Sequence, residues 1–216
     1  MRFLKGSWSH VLLTLFTLIL SGCITTRVNQ NYSGPRPRTA EMEQYYSTGR
    51  SYLGSTRETI KQTSNYQIER LLIQTDQGEI KIDYYKRPET SDKLIFVFPL
   101  LGGSNLIADH FAEYFADRGY ETAIVFRNDD FKRPENFEKL EVLLRQGVIR
   151  DRIAIDYFER EFGKSEFGTF GISRGAINVA ITAGVDSRLK YNVMAMGGTD
   201  LPQLFRDTTQ KRLRKY

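Results

Sequence analysis

The pentapeptide Gly171-Ile172-Ser173-Arg174-Gly175 constrains this chain more than any other stretch of it. It joins Phe167–Phe170, a short run of strand character, to Arg174–Ala183, an alanine-rich run of helical composition. A serine between glycines at such a junction predicts a tight strand-to-helix turn. Glycines 171 and 175 are needed where backbone passes close to neighbouring segments. Such a turn lifts the serine oxygen above the sheet edge and aims the N–H groups of the helix start at the same place. Both matter chemically, because a serine hydroxyl is a poor nucleophile without a base and a site for the developing oxyanion. The chain's two histidines, His10 and His110, both precede Ser173.

The pattern upstream sets the fold class. Ile68, Leu71, Leu72 and Ile73 form one apolar run, and Ile80, Ile82 and Tyr84 alternate with polar residues. Asp76-Gln77-Gly78 between them predicts an antiparallel hairpin. Leu94–Phe98 and Thr122–Phe126 are wholly apolar or nearly so, as strands buried on both faces are. Phe111, Tyr114 and Phe115 recur at helical spacing, with Gly119 at the expected C-cap. Asn128–Asn136 is a polar loop. Phe137–Phe162 is a long helical stretch closed by Gly163, with Leu140, Leu143, Leu144, Val148, Ile149, Ile153 and Tyr157 facing inward and Gly147 a candidate bend. Tyr191–Met196 is a further strand, followed by Gly197-Gly198. Hairpin, then alternating strands and helices, predicts an α/β layered sheet with a parallel core and an antiparallel leading edge.

On Gly171–Gly175, in that context, and on Leu94–Gly103, a strand ending in a Gly-rich turn, the chain resembles the α/β-hydrolase family. The resemblance spans about Tyr66 to Asp200, the first two-thirds of that fold. It implies that Ser173 is the nucleophile and that the backbone N–H of Arg174 is one oxyanion donor. The second donor is expected from Pro99-Leu100-Leu101-Gly102-Gly103, at Leu101 or Gly102; a plain loop is the other reading of those glycines. The family's triad runs Ser, then Asp or Glu, then His along the chain. Asp200 is the candidate acid, or else the cap of a helix starting at Leu201-Pro202. A complete fold adds at least two strands, the acid and the histidine, so the domain is expected to be truncated, lacking its final strands. His110 is either near the serine or an ordinary exposed helix residue. Asp186 is read as part of a surface turn. The resemblance implies hydrolysis of an ester, thioester or amide, of a small molecule or peptide, impaired by the missing histidine. The alternative is a non-catalytic envelope lipoprotein whose hydrolase-like domain binds a partner or ligand.

The N-terminus has the layout of a secretory signal peptide. Arg2 and Lys5 precede the ten-residue run Val11–Leu20, apolar but for Thr14 and Thr17, and small residues Ser21 and Gly22 follow. Ten residues are too few for a membrane span of about 20. Leu20-Ser21-Gly22-Cys23 resembles the lipobox of bacterial lipoproteins, which implies that Cys23 becomes the acylated first residue of the mature protein. Its next residue is Ile24 rather than Asp, which by the same resemblance favours the outer membrane in a Gram-negative cell. Cys23 is the only cysteine, so no intramolecular disulfide can form. The expected organisation is therefore a signal peptide over 1–22, lipidated cysteine and flexible tether over 23–40, a helical or irregular extension over 41–65, and the hydrolase-like domain over 66–216. A tether of this length spans roughly 20 Å as a soft coil.

Cleavage removes Arg2 and Lys5, so the formal charge falls from +5 to +3. That is too mild to point to nucleic acid. One remaining histidine and one lipid-linked cysteine do not make a usual metal-ligand set, so no metal and no cofactor is expected. The basic end, Lys211–Tyr216, is either a contact for anionic lipid headgroups or part of a helix.

Overall fold

The computed structural model describes residues 39–47, 52–100, 106–127, 130, 133–198 and 206–207. Seven strands make one sheet: β1 (Tyr52–Gln62), β2 (Gln67–Thr75), β3 (Ile80–Lys86), β4 (Lys93–Phe98), β5 (Glu121–Val125), β6 (Glu166–Ile172) and β7 (Leu189–Ala195). Their spatial order is β1-β2-β3-β5-β4-β6-β7. The pairs from β1 through β3 to β5 are antiparallel, and those from β5 through β4 and β6 to β7 are parallel. The expected antiparallel edge and parallel core are both present.

Among the described residues the helices that pack with this sheet are α1 (Ala40–Tyr45), α2 (Leu106–Asp117), α3 (Leu140–Phe162) and α4 (Arg174–Val185), with a 3-10 turn over Pro134–Lys139. Strand alternation sorts the core into two layers. Phe96 and Phe98 of β4 join Ile153, Phe158 and Val179 from α3 and α4, whereas Val97 joins Ala108, Ala112 and Ala116 of α2. Helices therefore cover both faces of the parallel strands, which explains their uninterrupted apolar sequences.

The predicted hairpin forms as β2 and β3. Gly78 takes φ 90° in its turn, and the Thr75 hydroxyl donates to the Gly78 carbonyl at 2.7 Å. Gly163 caps α3 with φ 64°. α3 runs through Gly147 as one helix. The expected bend there is a close approach instead: a β-carbon at 147 would lie 3.0 Å from Nδ2 of Asn178 on α4.

One element differs in kind. Among the described residues of the expected helical or irregular stretch 41–65, the helix is the part of α1 that ends at Tyr45, and Tyr52–Gln62 is the outermost strand of the sheet. Its residues are almost all exposed, so no apolar alternation marked it. Charged side chains and two register shifts along its pairing with β2 give this edge the features that discourage further strand pairing. Asp186 is also corrected: it ends α4 but is buried, not a surface residue. No described helix is long and apolar enough to cross a membrane. Cys23 and the proposed signal peptide lie outside the described residues.

Candidate active site

The sheet's connections choose the site. From β4 the chain passes through α2 to β5 on one side, then returns through α3 to β6 on β4's other side. The crossovers thus diverge at β4, and the carboxyl ends of strands flanking such a divergence form a crevice. Phe98 of β4 lies beside Gly171 of β6 in register. Two residues beyond Gly171, at that end, is Ser173.

Ser173 is exposed and holds φ 53° and ψ −115°, a conformation that costs a non-glycine residue about 1–3 kcal/mol. The surrounding contacts impose it. A β-carbon at Gly175 would sit 2.0 Å from the Phe98 carbonyl oxygen, and one at Gly171 would sit 2.4 Å from the Gly175 carbonyl oxygen. The end of β4, the end of β6 and the first turn of α4 are therefore in backbone contact, which only glycines allow. The Ser173 N–H donates to the Ala195 carbonyl at 2.9 Å, and the Ser173 carbonyl accepts from Ala176 at 3.0 Å. Its own N–H is thereby committed. Arg174 and Gly175 open α4, in the turn whose N–H groups a helix leaves to acceptors outside itself.

The Arg174 side chain is buried, which its sequence context did not predict. It lines a small recess with Arg127, Leu143, Gln146, Gly147 and Arg150. Arg127 grips the buried Asp151 of α3 with two nitrogens, one arm at 2.9 Å, and its guanidinium lies 4.7 Å from the Phe98 ring centre. Thr182 of α4 donates to the same carboxylate at 3.1 Å. Burial pushes the Asp151 carboxyl above its usual range, and the Arg127 charge opposes that. Asn178, one turn beyond Arg174, is fully buried with neither amide atom hydrogen-bonded. This polar seam between α3 and α4 was missed. It joins residues far apart in sequence and carries no local motif; Gly147 over Asn178 was its only local trace.

Of the other candidates, His110 is exposed on α2, packs edge-on to Phe111 at 5.6 Å between centroids, and makes no hydrogen bond with Ser173. Leu101, Gly102 and Asp200 lie outside the described residues. The turn that contains the first two begins beside the elbow, because a β-carbon at Gly175 would also meet the Pro99 carbonyl oxygen at 2.9 Å.

No protein-family model and no curated protein matches the sequence. Solved structures do resemble the fold. An acetyl xylan esterase from a Paenibacillus species aligns with a TM-score of 0.62 at 12% identity, over 85% of this chain and 68% of its own. Acetyl xylan esterase 1 from a Thermoanaerobacterium species aligns with a TM-score of 0.62 at 14% identity, over 89% of this chain and 72% of its own. A cold-adapted esterase from an Arctic intertidal metagenomic library aligns with a TM-score of 0.52 at 19% identity, over 66% of this chain and 62% of its own. With a mostly parallel seven-stranded sheet, helices on both faces and these structural neighbours, the chain has an α/β-hydrolase-like fold.

Proposed function

We propose that the chain hydrolyses an ester through an acyl intermediate on Ser173. The observation that carries this reading is the strained, exposed Ser173 at the divergence of the sheet's crossovers. The esterase neighbours favour a small acyl ester as the substrate class. In the proposed reaction Ser173 Oγ attacks the acyl carbonyl and loses its proton to a base. The Arg174 N–H, with that of Leu101 or Gly102, holds the oxyanion. The alcohol leaves with a proton, and water then releases the acid. His110, the only histidine among the described residues, is not bonded to Ser173, so acylation by the described residues alone is proposed to be slow.

The test is covalent labelling by a fluorophosphonate, together with hydrolysis of 4-nitrophenyl acetate. One equivalent of label on Ser173, absent from Ser173→Ala, is the expected result. Equal labelling of Ser173→Ala overturns the mechanism. No labelling of the native chain favours the second reading, a hydrolase-like domain that binds a partner without chemistry; the absence of a His110–Ser173 bond is the observation on that side.

The proposal extends to location. Leu20-Ser21-Gly22-Cys23 supports acylation of Cys23 and attachment to a bacterial envelope membrane, the outer one in a Gram-negative cell. Cells fed an alkyne-tagged fatty acid should label the native chain and leave Cys23→Ser unlabelled. Equal labelling of both would remove the anchor.

A further inference from the structure

We propose that the turn Ala195-Met196-Gly197, at the end of β7, is a clamp that fixes Ser173, and that Gly197 is its positioning residue. The proposal rests on the reading of Ser173 as the nucleophile. Three observations meet at this turn. The Ala195 carbonyl accepts the Ser173 N–H at 2.9 Å, so the elbow is tied to β7 as well as to its own strand. Met196 then takes φ 53°, with its side chain exposed; among the described residues only it and Ser173 hold a positive φ without being glycine. The exposed Met196 side chain does not anchor this conformation, and the close contact of the turn lies at its neighbour in the chain. That neighbour is Gly197, where a β-carbon would lie 2.7 Å from the β-carbon of Ala176.

Ala176 is the link to the chemistry. It is buried in the first turn of α4, and its N–H donates to the Ser173 carbonyl at 3.0 Å. A side chain at 197 must push either its own turn outward or Ala176 inward. The first lengthens the Ser173–Ala195 hydrogen bond. The second moves the helix start that carries the proposed oxyanion donor, the Arg174 N–H. Either shift reaches Ser173 although residue 197 touches no substrate. Displacements near 1 Å cost on the order of 100-fold in rate, so a shift of a few tenths of an ångström should be readily measured.

A size exchange tests the clamp. Gly197→Ala should slow fluorophosphonate labelling of Ser173 about tenfold, with the probe concentration at half-maximal rate little changed. Ala176→Gly added to Gly197→Ala removes the opposing methyl and should return the rate to that of Ala176→Gly alone. A general loss of stability would not be restored this way, because Ala176→Gly itself weakens the helix. An unaltered rate in Gly197→Ala overturns the clamp, as does a double variant as slow as Gly197→Ala. Amide hydrogen exchange at Ser173 provides a readout independent of chemistry: faster in Gly197→Ala, slowed again in the double variant. If the native chain takes no label, the catalytic reading fails and exchange alone decides the clamp. If exchange is the same in all variants, the clamp fails.

Discussion

A serine at φ 53° is maintained only because its neighbours leave it no alternative, and two glycines bring those neighbours close. The space at Gly175 is closed by the Phe98 carbonyl oxygen at 2.0 Å and the Pro99 carbonyl oxygen at 2.9 Å from a would-be β-carbon. Both are backbone atoms at the end of a central strand, so no rotamer change relieves the clash. Gly175→Ala should therefore cost about 3 kcal/mol, at the top of the usual range for overpacking. The check is the urea midpoint of the variant against the native chain; an unchanged midpoint would mean that the elbow yields freely. Both elbow glycines were legible in the sequence because their reason is local, a serine held between strand and helix. Gly197 was legible only as the end of a strand. Its reason is Ala176, twenty-one residues earlier, and a contact of that kind leaves no spacing to read.

The elements divide in the same way. β4 and β5 could be read because burial on both faces demands an unbroken apolar run, and the β2–β3 hairpin because Gly78 marks its turn. β1 could not. An edge strand exposed along nearly its whole length needs no apolar alternation, and Tyr52–Gln62 is mostly polar for that reason. α3 is the mixed case. Its length and its Gly163 stop were plain, and Val148, Ile149, Ile153 and Tyr157 are buried as expected. Yet Asp151, Arg152 and Asp156 are buried too, because α4 and α1 contribute partners on the side of α3 that carries them. Their partners explain how these charges are accommodated: Arg127 and Thr182 for Asp151, Glu43 and Asp186 for Arg152, Arg188 for Asp156. Charges at helical positions read as a solvated face until those partners are known.

At the scale of the molecule, the same charges tie α1 to the sheet's helical layer and make its stability depend on pH. Arg152 donates to the Tyr46 carbonyl at 2.8 Å and lies 3.4 Å from both Glu43 and Asp186. Arg188 reaches Asp186, Asp156 and Glu159, each at 2.7 Å. Burial pushes Asp186 up, but the hydrogen bonds and charge of Arg188, with the charge of Arg152, outweigh it and hold its carboxyl below the ordinary 3.8. Its unfolded form therefore takes a proton before its folded form does. The stability it contributes is fully present above about pH 3.8 and is lost as pH falls through the lower folded value. Asp109 and Asp151 run the other way. Burial lifts both, with the Asp83 charge adding to it at Asp109, so their contributions are full below about pH 3.8 and lost as pH rises through the folded values. The total acid response is a sum of opposed terms, and only a comparison isolates one of them. Asp186→Asn removes the titration but keeps the shape of the side chain. Between pH 5 and pH 2.5 the native chain's urea midpoint should fall further than that of Asp186→Asn, so the two curves converge toward acid. Parallel curves would mean that Arg188 and Arg152 hold the Asp186 carboxylate no more tightly than water does.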